Sequence, residues 1–230
     1  MGIPVVIIGE SGSGKTYSIK NFDPGNVGIL LCEKNRLPFQ KKFKTFKVKE
    51  TEGEQNGKRV VFRQGQVVNE LIKQAKTKVI VIDDSQYIMA NEFFDRAGEK
   101  GYDKFVDIGV HFRDIIHTVN NKLADDVIVY FLHHPEMDVN TGRMKAKTIG
   151  KMLDEKLTLE GCFDIVLWCR TDGKRHWFQT QSDGFNTAKS PEDMFDAEIP
   201  NDLAFVDKTI REYYGMEPLV NNEEKEGTTK

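Results

Sequence analysis

The sequence predicts an α/β fold, a mostly parallel sheet with helices on both faces and an antiparallel hairpin near its end. Three observations carry this. Four short runs are apolar throughout, at residues 3–8, 27–32, 79–82 and 127–132, as strands covered on both faces are. Segments of helical period lie between them. Asp172-Gly173 then separates two further strand-like runs, a hairpin signal.

The elements follow in order. Residues 3–8 stop at Gly9, and a Gly/Ser loop leads to a helix expected from about Lys15. Asp23-Pro24-Gly25-Asn26 is a turn, which opens the run at 27–32. Val60-Val61-Phe62 reads as a short strand. Val67, Val68, Leu71, Ile72 and Ala75 sit at helical spacing within 67–76. The run at 79–82 ends in Asp83-Asp84. Phe112, Ile115, Ile116, Val119 and Leu123 give 108–123 one apolar face. The run at 127–132 ends in His133-His134, and the hairpin strands fall at 163–169 and 175–180. A last helix starts at Pro200-Asn201-Asp202 and stops at Gly215. One domain over 1–215 and an acidic, solvated tail over 216–230 are expected.

Composition excludes several classes. A chain of 230 residues, 39% hydrophobic and 30% charged, can bury a full core. The net charge of -3 excludes an overall basic protein, so any nucleic-acid contact must come from a local patch. No apolar run is long enough to span a bilayer. The N-terminus reads Met-Gly-Ile-Pro, with no basic n-region and no cleavage site, so a signal peptide is not expected. Cys32, Cys162 and Cys169 lack metal or disulfide spacing, which fits a reducing cytoplasm.

The most specific motif is Gly9-Glu10-Ser11-Gly12-Ser13-Gly14-Lys15-Thr16, a full G-x-x-x-x-G-K-[ST] between a strand and a helix. Glycines let main-chain N–H groups turn inward on phosphate oxygens, and a helix N-terminus adds its positive end. Lys15 supplies a cation for the outer phosphates, and the Thr16 hydroxyl is a hard ligand for Mg²⁺. The bland alternative is a glycine-rich turn with an exposed lysine. Asp83, at the carboxyl end of a buried parallel strand, falls beside the loop and is the second candidate Mg²⁺ ligand. Its alternative is a helix cap. Asp84 is the cap or a second catalytic acid.

Residues 34–49 carry seven cations and no acid, among them Lys41, Lys42 and Lys44, with Phe39, Phe43 and Phe46 interleaved. Phosphate neutralisation with aromatic stacking is how single strands are bound without sequence preference. Phenylalanines packed on the core beneath solvated lysines are the alternative.

The order of phosphate loop, strand ending Cys32-Glu33, strand ending Asp83 and strand ending His133-His134 resembles the RecA-like P-loop ATPases of bacteriophages over residues 3–195. The resemblance implies a Mg²⁺-dependent, DNA-stimulated ATPase acting on single-stranded DNA in recombination, annealing or replication. It implies a host-cell cytoplasm and a ring or filament of copies, with a single-strand-binding protein as a further partner. It makes Glu33 the first candidate for the water-orienting base, with Asp84 its rival. His134 takes the place of the γ-phosphate sensor, and Lys189 that of a cation reaching a neighbour's nucleotide. The segment after His134, with Arg143, Lys145 and Lys147, becomes a DNA-contacting loop, and 90–107 a second. Adjacent residues on a strand point to opposite faces, so the two histidines do not easily grip one metal. A nucleotide-binding scaffold with negligible hydrolysis is the alternative. A small-molecule or nucleotide kinase is less favoured, because no arginine-rich lid is evident.

Overall fold

A computed structural model describes residues 1–34, 36–149 and 158–220. Of the tail expected at 216–230, residues 221–230 lie outside the described residues, while Met216 and Leu219 pack against the core. In chain order the strands are β1 (Ile3–Ile8), β2 (Val27–Leu31), β3 (Lys44–Lys47), β4 (Thr51–Gln55), β5 (Lys58–Phe62), β6 (Val79–Asp83), β7 (Ile128–His133), β8 (Pro135–Met137), β9 (Met144–Ala146), β10 (Ile165–Thr171), β11 (His176–Gln179) and β12 (Glu198–Pro200). The α-helices are α1 (Gln64–Gln74), α2 (Tyr87–Asp95), α3 (Asp103–Lys122) and α4 (Leu203–Tyr213). Two 3-10 helices, Thr16–Asn21 and Leu159–Cys162, complete the set among the described residues.

Eight strands form one sheet in the order β12-β11-β10-β1-β7-β6-β2-β3. From β10 to β3 all neighbours are parallel, and β11 and β12 add antiparallel pairs at one edge. Alternation along β1 divides the core. Val6 and Ile8 face the helices α1, α2 and α3, while Val5 and Ile7 face α4 and the 3-10 helix Thr16–Asn21. Apart from the exposed edge strand β3, each parallel strand is thus apolar on both faces, which explains the unbroken runs in the sequence. The Asp202 side chain accepts from the Ala204 N–H and starts α4. No described helix is long and apolar enough to cross a membrane.

The helix expected from Lys15 is a six-residue 3-10 helix instead. The turn Asp23–Asn26, closed by a 3.0 Å hydrogen bond, leaves too little chain for a longer one. The short strand expected at Val60-Val61-Phe62 falls within β5, and beyond the expected elements come β3, β4 as its hairpin partner, α2, the β8–β9 hairpin and β12. The hairpin β8–β9 occupies the segment read as an irregular loop after His134.

Candidate active site

In a parallel sheet all strands deliver their carboxyl ends to the same edge. Because β7 lies between β1 and β6, that edge brings together Gly9 after β1, Asp83 and Asp84 at the end of β6, and His133-His134 at the end of β7. A cavity of about 510 Å³ opens there, lined by the glycine-rich loop, Lys15, Thr16, Lys34, His134 and His176.

The loop needs its glycines. A Cβ on Gly9 would lie 2.6 Å from Ser13 Oγ and 2.8 Å from the Cys169 carbonyl. Gly14, at φ +103°, would place a Cβ 2.5 Å from Asn201 Nδ2. The Ser13 carbonyl accepts from His176 Nδ1 at 2.7 Å and from Cys169 Sγ at 3.1 Å. The Gly14 carbonyl accepts from Asn201 Nδ2 at 3.1 Å. In a trans peptide the N–H opposes the C=O, so the N–H groups of Gly14 and Lys15 point away from these partners and are left for other acceptors, such as an anion. His176, Asn201 and Cys169 were not foreseen. They are remote in sequence, and only the register of β10 with β11 and the start of α4 brings them here.

Lys15 is buried, and its Nζ donates to the carbonyls of Gly9 at 2.6 Å and Glu10 at 3.0 Å. Burial pushes its pKa down to about 8. Thr16 Oγ1 donates to Asp83 Oδ1 at 2.9 Å across 67 residues of chain. Burial first, and then the neighbouring Asp84, hold the Asp83 carboxyl above the usual range. Asp83 Oδ2 is buried without a hydrogen-bond partner. A hydroxyl and a carboxylate with an oxygen to spare suit a hard cation such as Mg²⁺. Among the described residues no cluster of three His, Cys, Asp or Glu side chains forms a cage for a metal. Mg²⁺ is commonly held by one or two protein oxygens, with phosphates and water completing the shell.

Asp84 is buried beside it, with main-chain φ at +59°. Its Oδ2 lies 3.1 Å from Lys34 Nζ, and its Oδ1 lies 3.3 Å from His134 Nε2. Burial pushes this carboxyl up, but His134 and Lys34 outweigh it and hold the pKa below the usual range. Asp84 is thus kept ionised behind the cavity wall, against Lys34 and His134.

The two histidines face opposite ways. His134 looks into the cavity, with its ring edge-on to Tyr87. His133 is buried, and its Nε2 donates to the Lys147 carbonyl at 2.7 Å. A carbonyl only accepts, so in the neutral ring Nδ1 accepts a hydrogen bond from the Ser85 hydroxyl at 2.8 Å. Burial pushes the His133 pKa down to about 4. This ring ties the end of β6 to the foot of the β8–β9 hairpin.

The remaining candidates are not brought to the cavity. Glu33 is exposed, and its Oε2 accepts from Asn91 Nδ2 at 3.3 Å. Lys189 pairs its main chain with Val166 inside β10. Arg143 Nε donates to the Gly184 carbonyl at 2.9 Å, Lys145 lies 3.8 Å from Glu136, and Lys147 is exposed. In the basic segment Phe39 and Phe43 pack against the core. Phe46 stands exposed on the edge strand β3, with Lys44 Nζ 5.4 Å above its ring. Lys41 and Lys42 precede that strand. No family model matches the chain, and no curated protein matches it.

Proposed function

We propose that the chain is a Mg²⁺-dependent P-loop ATPase with a RecA-like core that acts on single-stranded DNA. The observation that carries the reading is the 2.9 Å contact of Thr16 with Asp83 beneath a full glycine-lysine loop. In this reading the loop N–H groups and Lys15 bind the phosphates, while Thr16 and Asp83 hold Mg²⁺. Bound Mg²⁺ offsets charge on the phosphates. Asp84 is the better-placed carboxylate to orient water, because it contacts the cavity-lining Lys34 and His134 while Glu33 is turned to Asn91. His134, beside Asp84, is placed to respond to the terminal phosphate. The buried His133 carries the same strand end to the β8–β9 hairpin and its basic residues Arg143, Lys145 and Lys147. The edge strand β3, with Lys44 and Phe46, supplies a cation and an exposed ring for a single strand.

The test is steady-state ATP hydrolysis with Mg²⁺, with and without single-stranded DNA, beside Lys15→Ala. Hydrolysis stimulated by DNA and lost in the variant is the expected result. DNA binding without hydrolysis favours the scaffold. Neither activity overturns the proposal.

A further inference from the structure

We infer that Lys34 is a second phosphate-binding cation, which a nucleoside triphosphate draws away from Asp84 and a diphosphate does not. This rests on the ATPase reading above.

Lys34 follows the end of β2, and its side chain is half exposed within the cavity wall. Its main chain is held from the edge strand, because Lys47 Nζ donates to the carbonyls of Glu33 and Lys34. The side chain thus works from a fixed base. Cationic charge near the cavity is otherwise sparse. Lys15 is desolvated, and the following helix has only six residues, too few for a strong dipole end. A triphosphate with Mg²⁺ still carries net negative charge, and Lys34 is a half-exposed ammonium on the same cavity.

Asp84 is its competitor. Lys34 Nζ lies 3.1 Å from Asp84 Oδ2, with the lysine side chain half exposed and the carboxylate buried. The solvated ammonium end can exchange one anionic partner for another, and a phosphate is as able an acceptor for it as a carboxylate. A diphosphate lacks the group that competes, so it leaves the pair intact. The lysine thereby discriminates triphosphate from diphosphate.

The test is equilibrium binding of Mg²⁺-ATP and Mg²⁺-ADP to the full chain and to Lys34→Ala, Lys34→Arg and Lys34→Ala/Asp84→Asn. In Lys34→Ala, ATP affinity falls about 10- to 100-fold, the size of one charge-assisted contact. ADP affinity stays within about twofold, and Lys34→Arg recovers most of the loss. The double variant keeps the loss, since the missing group is the cation and not a stranded carboxylate. Equal weakening of both nucleotides, unchanged discrimination, or recovery in the double variant overturns the assignment and leaves the ATPase reading standing. A wild-type chain that binds neither nucleotide overturns both.

Discussion

At the amino-terminal ends of β6 and β7, Arg211 of α4 lies buried with every arm engaged. Its Nε donates to Asp207 Oδ1 at 2.5 Å, Nη1 to the Asp126 carbonyl at 3.0 Å, and Nη2 to the Lys78 carbonyl at 3.4 Å. Tyr130 Oη donates to the other Asp207 oxygen at 3.2 Å. At the carboxyl ends of the same strands, Asp83 and Asp84 are equally buried; Asp84 is balanced by Lys34 and His134, yet Asp83 Oδ2 lacks a partner and burial disfavours the Asp83 charge. Asp84 also holds a left-handed main chain, which costs on the order of 1 kcal/mol or more. One end therefore uses buried charge to lock a helix onto the sheet. The other keeps the Asp83 carboxylate only half satisfied, at a cost to stability, where a ligand could complete it.

The contrast predicts opposite outcomes for similar substitutions. Arg211→Ala strands Asp207 and should cost about 3–5 kcal/mol. In a chain of this size that lowers Tm by roughly 6–20 °C in a thermal scan. A shift under about 2 °C would show the locked end to be no lock. Asp83→Asn should behave in reverse. It removes a carboxylate that burial and Asp84 both penalise, so Tm should hold or rise, while hydrolysis falls at least about 100-fold. Loss of stability with activity retained would make Asp83 a structural residue.

The site end also has one fully satisfied member, His133, and pH isolates it. Its folded pKa of about 4 lies below the ordinary 6.5, so the folded state binds fewer protons. The stability it contributes is complete above pH 6.5 and is lost as pH falls from there through about 4. Glutamine can also accept from Ser85 and donate to the Lys147 carbonyl. Urea midpoints of His133→Gln should therefore fall less on acidification, by an amount approaching roughly 3 kcal/mol at pH 4. Parallel pH curves for the two proteins would refute the buried, neutral ring. Asp83 and Asp207 have raised pKa values and work in the opposite sense, gaining stability as pH falls through them. They remain in both proteins and cancel in the comparison. The smallest effect belongs to the edge strand. Replacing Lys41, Lys42 and Lys44 by alanine should flatten the salt dependence of single-strand binding by about 2 in log–log slope. An unchanged slope would move the contact elsewhere.

Much of the fold was legible because parallel strands advertise themselves. Runs such as Val79-Ile80-Val81-Ile82 are apolar at every position only when both faces are covered. β3 escaped notice because Lys44-Thr45-Phe46-Lys47 is an exposed edge, recognised by its pairing with β2 and not by its composition. The β4–β5 hairpin did leave a signal, Asn56-Gly57. Both residues adopt positive φ, +54° and +74°, as a tight hairpin turn requires. Of the site, Lys15, Thr16 and Asp83 could be named from spacing. Glu33 sits one residue from Lys34, and which of the two reaches the cavity was not readable from the chain.

By itself the sequence determined the sheet's buried strands, the glycine-lysine loop and the acid that ends β6, because local composition and main-chain freedom suffice for these. Only the tertiary structure decided that β7 lies between β1 and β6, which sets His134 beside Asp84. It alone turned Glu33 outward to Asn91 and set His176 and Asn201 behind the loop. Contacts across scores of residues depend on strand order and register, and no local pattern encodes those.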